Sequence, residues 1–275
     1  MKLKRVCAAF LASVMAMAAF SGCGDKESDT FTISTNAAFP PFEYIGDNGK
    51  VVGVDIDIAQ AIADKMGKEL KVNDVEFTSA LASVSSGNVD AALAGITVTD
   101  ERKKEMDFSD TYATSVQYVI VKADDDSVTT IEDLAGKKVG VQNGTTGNLI
   151  LDDEINGTED DDGNHVTGVL EGSGAESVPY KSALLASMDL QTGTVDAVII
   201  DKLPAENIVA TNSDLKCFEL VYADGSNTLE EYAVAVKKGD TETLKIVNEV
   251  IAELKESGKI DEYLLNHTGA SKIEE

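Results

Sequence analysis

Apolar positions along this chain switch between two periods. Residues 31–35 alternate as a strand entering a sheet does, and 51–54 are apolar and β-rich. Ile58, Ile62 and Met66 then recur at helical spacing, and Gly67 closes that helix. Residues 72–77 read as a strand, Thr78 as the cap of a helix stopped by Gly87, and 89–94 as a buried strand. A second block repeats this logic with a strand at 138–141, helices at 145–151 and 180–191, and a strand at 195–200. A last strand covers 232–236. The helix at 241–256 carries Leu244, Val247, Ile251 and Leu254 on one stripe. Strands alternating with helices predict an α/β fold with largely parallel sheets covered on both faces.

The two blocks echo each other in detail. Ser86-Gly87-Asn88-Val89-Asp90-Ala91 matches Thr192-Gly193-Thr194-Val195-Asp196-Ala197: a helix end, a glycine, then a buried strand running into a polar loop. About 250 residues follow the first twenty-two, enough for two lobes of one design. Residues 152–177, rich in Asp, Glu, Gly and Asn, form the least structured stretch. Its run Asp160-Asp161-Asp162-Gly163-Asn164 lacks the EF-hand glutamate, since Val169 stands six residues after the glycine, so it reads as a solvated acidic loop.

The beginning of the chain has a different character. Lys2, Lys4 and Arg5 precede an apolar run over 6–20, and Ser21-Gly22-Cys23 follows before the chain turns polar. A charged start, a short apolar segment and small residues make a signal peptide over 1–22, too short for a comfortable membrane span. Cys23 behind that small pair resembles a bacterial lipobox, with Phe20 where leucine is usual; residues 23–30 are then a lipid-anchored tether. Cys7 leaves with the signal. Cys217 remains alone, which leaves the domain without an internal disulfide and reads as a small buried hydrophobe. The whole chain carries 23 basic and 49 acidic side chains; removing residues 1–22 takes away three basic and no acidic ones, leaving a formal charge of −29. So acidic a chain excludes nucleic acid as a partner and does not hold anionic lipid by its surface, so membrane attachment falls to lipid on Cys23.

In open α/β sheets ligands bind beyond the carboxyl ends of strands. The loops there hold Asn36 and Phe39, Gly95 and Thr97 through Arg102, Gln142 with Gly144, Thr145 and Thr146, and Asp201. One arginine, one carboxylate, hydroxyls, exposed amides and an aromatic suit a zwitterion: the guanidinium holds a carboxylate and the aspartate an ammonium. Each residue also has a plainer reading. Arg102 sits in a charged turn, Asp201 is placed to cap the next helix, and Gly144 is ordinary turn chemistry.

Several segments in order carry a resemblance. They are Thr35-Asn36-Ala37-Ala38-Phe39-Pro40-Pro41-Phe42-Glu43-Tyr44, Val52-Gly53-Val54-Asp55-Ile56-Asp57, Ala94-Gly95-Ile96-Thr97-Val98-Thr99-Asp100-Glu101-Arg102, Asp107-Phe108-Ser109-Asp110, Leu134-Ala135-Gly136-Lys137-Lys138-Val139-Gly140-Val141, and Val195-Asp196-Ala197-Val198 with Asp201. From about residue 31 to 267 the chain resembles the polar amino-acid-binding proteins of bacterial ABC importers, the extracellular solute-binding family 3. The resemblance implies a periplasmic-binding fold of type II: lobe 1 from 31–113 and 231–275, lobe 2 from 114–230, and two hinge crossings near 112–116 and 228–232. It implies a monomeric, extracytoplasmic, lipid-anchored protein without cofactor, metal or catalysis, which hands an amino acid to a permease and a separate ATPase. No phosphate-binding loop stands in the chain itself. Arg102 would grip the α-carboxylate with Thr97 and the amides near Thr145 and Thr146. Gly95 and Asp201 would hold the ammonium, and Phe39 and Phe77 would sandwich the side chain. Asn36, Gln142 and Ile200 vary with specificity. Here they lean toward a neutral polar ligand and leave arginine and lysine open. A sensor lobe for a membrane receptor is the alternative. A dehydratase-like enzyme, with Glu43 as its general acid or base, is a more remote one.

Overall fold

The computed structural model describes residues 29–160, 162–222 and 224–268, and within them the strand–helix alternation builds two separate five-stranded sheets. The first runs in the order Glu69–Asp74, Thr30–Thr35, Ala91–Ala92, Ala235–Lys237, Met106–Phe108. The second runs Glu176–Tyr180, Lys138–Gln142, Ala197–Asp201, Gln117–Lys122, Leu215–Glu219. In both, three parallel strands are followed by two that join antiparallel. The fold is thus the expected α/β type, with more antiparallel pairing than the alternation alone implies.

Two short strands connect the sheets. Ala113–Ser115 precedes the fourth strand of the second sheet, Glu230–Tyr232 precedes the fourth strand of the first, and the two pair antiparallel with Tyr232 opposite Ala113. Each sheet therefore takes as its fourth strand the segment that follows a crossing.

Burial explains the unbroken apolar runs. In the second sheet Val119, Val121, Val139, Val141 and Ile199 face one cluster with Leu134 and Leu151. Ile120, Val198 and Ile200 face the other side, against Ala186, Leu190 and Ile208. A strand covered on both faces has no polar side to alternate with. In the first lobe the helix Val54–Met66 buries Val54, Ile58 and Ile62, and packs on Thr241–Glu256, which buries Val247, Val250, Ile251 and Leu254.

Several boundaries move. The strand read at 72–77 ends at Asp74, and Phe77 opens the helix Phe77–Ser86 with Glu76, not Thr78, at its N-cap. Tyr180 closes a strand instead of opening a helix. Ser182 caps Ala183–Thr192 by accepting from the Leu185 amide at 3.4 Å. The acidic segment 152–177 is more ordered than its composition implies: it finishes the helix Thr146–Asn156, forms a hairpin of Thr158–Glu159 with His165–Val166, and is pinned by buried Leu170 and Ala175. Cys217 is half-buried in Leu215–Glu219, and burial pushes its thiol up to about 11. No helix among the described residues is long and apolar enough to cross a membrane. The signal segment 1–22, Cys7, Cys23 and most of the tether lie outside the described residues.

Candidate functional site

A narrow cleft lies between the two lobes, where the carboxyl ends of both sheets' parallel strands meet. All ten residues singled out as ligand-binding line it. From the first lobe come Asn36, Phe39, Phe77, Gly95, Thr97 and Arg102; from the second come Gln142, Thr145, Thr146 and Asp201. Two further lining residues are Ala94 and Glu43.

Arg102 lies on the one-turn helix Asp100–Glu105, capped by Thr99, whose hydroxyl accepts from the Arg102 amide at 3.2 Å. This fixes the base of the side chain. Its guanidinium donates to the Thr97 carbonyl at 2.8 Å and, across the cleft, to the Gly144 carbonyl at 3.1 Å. It also stacks 5.3 Å above the Phe77 ring. Only 8% of the residue is exposed, and burial pulls its pKa down while Glu230 and Asp201 push it back. A guanidinium so placed stays charged.

On the other side, Asp201 occupies the N-cap of Lys202–Thr211 but makes no capping bond with its side chain. Its carboxylate instead accepts from the Tyr232 hydroxyl on the returning crossing strand. Burial raises its pKa, and hydrogen bonds from Tyr232 and Gln117 oppose the rise. Glu230, on the same crossing strand, meets Thr97 from one lobe and Gln117 Nε2, which donates to it, from the other. When Glu230 is ionised the Thr97 hydroxyl donates to it and is committed there. Burial and the nearby Asp201 charge push Glu230 up to about 8.

Thr145 holds the N-cap of Thr146–Asn156 and turns its hydroxyl to the Gln142 carbonyl at 2.8 Å, so the amides of the first turn are left facing the cleft end of the helix. The Asn148 side chain accepts from the Gly144 amide at 3.0 Å and steadies the turn before it. Gly95 has φ of +53°, and a side chain there would lie 2.7 Å from the Phe39 ring, so the aromatic rests directly on bare backbone. Phe39 packs on Phe42 and Tyr232 at centroid distances of 5.9 and 6.4 Å. Ile200, named as a specificity position, is fully buried in the core.

Glu43 stands apart from the rest. It is fully buried, and neither carboxyl oxygen receives a hydrogen bond from a donor. Asp55 lies beside it, held by the Gly95 amide at 2.9 Å and the Tyr112 hydroxyl at 2.7 Å. Burial and the Asp55 charge push Glu43 far above the usual carboxylate range, and burial raises Asp55 to about 6. Two adjacent carboxyls bond to each other only when one keeps its proton. The sequence marked Glu43 solely as a remote candidate for a general acid or base; burial and Asp55, twelve residues on, give it this setting.

A cleft between two α/β lobes joined by paired crossings, lined by one guanidinium and by carboxyls, hydroxyls and helix-end amides, defines a two-lobed small-solute-binding protein. The chain belongs to the bacterial extracellular solute-binding proteins, family 3, whose model matches residues 31–270. These are binding proteins and not enzymes. The chain is 32% identical over 240 residues to the L-cystine-binding protein of Escherichia coli strain K12, covering 86% of this chain and 81% of that one. It is 32% identical over 253 residues to an arginine-binding extracellular protein of Bacillus subtilis strain 168, covering 88% and 90%. Among solved structures it superposes with a TM-score of 0.77 and 34% identity on an amino acid ABC transporter substrate-binding protein of Streptococcus pneumoniae bound to L-arginine, covering 90% of this chain and 97% of that one.

Proposed function

We propose that this protein captures a free α-amino acid outside the cytoplasm and delivers it to the permease of an ABC importer. One observation carries the reading: a buried guanidinium, Arg102, and a buried carboxylate, Asp201, face the same cleft from opposite lobes. That pairing fits the two ends of a zwitterion, and the arginine- and cystine-binding relatives support it. Arg102, Thr97 and the amides at Thr145 and Thr146 take the carboxylate; Asp201 and Gly95 take the ammonium; Phe39 and Phe77 flank the side chain. Lobe 1 comprises 31–113 with 231–275 and lobe 2 comprises 114–230. Because the ligand bridges both lobes, its differential affinity favours the closed arrangement. Residues 1–22 direct export, lipid on Cys23 anchors a monomer to the membrane, and no catalytic step is involved.

Calorimetric titration of the protein with a panel of single L-amino acids tests this. One-to-one binding by one or a few of them is the expected result. No heat with any α-amino acid removes the zwitterion reading of Arg102 and Asp201.

A further inference from the structure

We propose that Asp55, buried behind the residues that line the cleft, is a positioning residue for the ammonium end of the site: with Glu43 beside it, it holds the Gly95 turn and ties that turn to the first crossing between the lobes. This rests on the amino-acid reading above and deepens it, because Gly95 is there an acceptor for the ligand ammonium.

The hold is geometric. Asp55 stands in the first turn of Val54–Met66, where the end of the helix favours negative charge. Its amide donates to the Phe42 carbonyl at 3.0 Å, which sets the helix start against Glu43–Ile45 and brings Glu43 alongside. The Asp55 side chain is fully buried, and each oxygen has its own donor: the Gly95 amide at 2.9 Å and the Tyr112 hydroxyl at 2.7 Å. Gly95 is left-handed, with φ of +53°, and the Phe39 ring rests where a side chain would stand. A glycine has few conformational restraints of its own, so the bond on its amide decides where its carbonyl points. Tyr112 carries the hold onward. Its amide donates to the Tyr232 carbonyl at 2.9 Å, and the next residue, Ala113, pairs with Tyr232 across the two crossing strands. One buried carboxylate thus joins the cleft floor to the hinge.

Glu43 completes the hold with a proton. It is fully buried among acids: Asp55, then Asp201 from Ala197–Asp201 and Asp74 from Glu69–Asp74. Burial and Asp55 push it well above the usual carboxylate range, so it keeps its proton and donates to Asp55. Burial, Asp55 and Glu43 likewise hold the Tyr112 hydroxyl protonated. Among the described residues, Glu43 and Tyr112 are the titratable groups that face Asp55; Asp57, two residues on, stands on another face of the helix and pairs with His267 at 3.0 Å. Asp55 itself, raised to about 6 by burial, is the member that changes charge in mildly acid solution. Ionised, it accepts from all three donors, and its charge lies behind the turn that meets the ammonium. Protonated, it loses an acceptor and the charge. Ligand affinity therefore increases as pH rises through about 6. Ligand-free stability moves the opposite way over that interval, because the folded chain holds a proton there that the unfolded chain, with its aspartate near 3.8, has released. Opposite signs separate positioning from plain structural support.

The test takes whichever of the common L-amino acids and L-cystine binds the protein most tightly and titrates it calorimetrically from about pH 4.5 to about pH 7.5. In parallel, the Gly95 amide proton of the ligand-free protein is followed by NMR over the same range. Affinity should rise about five- to tenfold with a midpoint near pH 6, and the Gly95 resonance should titrate with that midpoint. In Asp55→Asn both steps disappear, and affinity at the upper pH drops about tenfold. Glu43→Leu should bind about tenfold more weakly than Glu43→Gln, since only glutamine can donate to Asp55. Should Asp55→Asn not fold, Tyr112→Phe decides in its place: removing a donor to the ionised carboxylate moves both midpoints upward. A flat or falling affinity profile, a Gly95 resonance that does not titrate, wild-type affinity in Asp55→Asn, or midpoints unmoved in Tyr112→Phe overturns the proposal and leaves amino-acid capture intact. Failure of every amino acid in the panel to bind overturns both.

Discussion

In the first lobe Asp90 accepts from the Thr32 amide at 2.7 Å while its own amide donates to the Thr32 carbonyl at 2.8 Å. In the second, Asp196 treats Lys138 in the same way, at 2.8 and 2.7 Å. Each aspartate follows a helix ended by a left-handed glycine, Gly87 or Gly193, and precedes a buried strand. The lobes therefore share a device that pins two parallel strands in register at their start. They differ where those strands end. The first runs on to Gly95 and Thr97, beside the buried acids Glu43 and Asp55; the second passes directly into Asp201. Scaffold repeats between the lobes, and chemistry does not.

The largest effect expected on this contrast comes from Arg102→Ala. It removes the one cation of the cleft and leaves the facing carboxyls unbalanced, at a cost of about 3 kcal/mol or more in ligand affinity by calorimetry. Wild-type affinity in that variant removes Arg102 from the site.

The next concerns pH. Asp55 is raised from 3.8 to about 6 and Glu230 from 4.5 to about 8, so the folded chain holds protons that the unfolded chain releases. Their contribution to stability is complete below about pH 4 and is lost as pH rises through about 6 and then about 8. Urea midpoints of the ligand-free protein should therefore fall between pH 5 and 8.5, by an amount on the order of a few kcal/mol. Glu230→Gln should flatten the upper part of that slope; an unchanged slope would place the titration elsewhere.

Removing the shared clamps tests whether they are equivalent. Asp90→Ala should cost about 1–2 kcal/mol and Asp196→Ala about 1 kcal/mol in urea unfolding, the order following the deeper burial of Asp90. A reversed order would mean that the register of the second sheet depends more on its clamp than burial implies. The smallest effect belongs to Lys181 and Glu76, an exposed ion pair of 2.7 Å between the lobes. Lys181→Ala should change ligand affinity by about twofold or less and vanish at high salt.

Much of this was legible in sequence for a physical reason. Gly87 and Gly193 punctuate the chain just before buried strands, and the polar residues just after those strands, Gly95 through Arg102 and Asp201, fall at the sheet ends that form the cleft. What escaped has physical reasons too. Phe77 favours strands by type, yet the cleft needs it at the first position of a helix, where tertiary packing overrides propensity. Ala113–Ser115 and Glu230–Tyr232 are three residues each, too short for any period to show. The state of Glu43 depends on its burial and on Asp55, Asp74 and Asp201, drawn from three separate stretches of chain that only folding brings together.

Gly144 has a consequence for how wide the shut cleft is. It lies in the second lobe with φ of +75°, and a single carbon added to it would stand 2.6 Å from the Thr78 methyl of the first lobe. The gap between the jaws is thus gauged by one hydrogen atom. Any larger group at 144 acts as a wedge, and it would alter the resting gape of the protein and move the carbonyl to which Arg102 donates across the cleft.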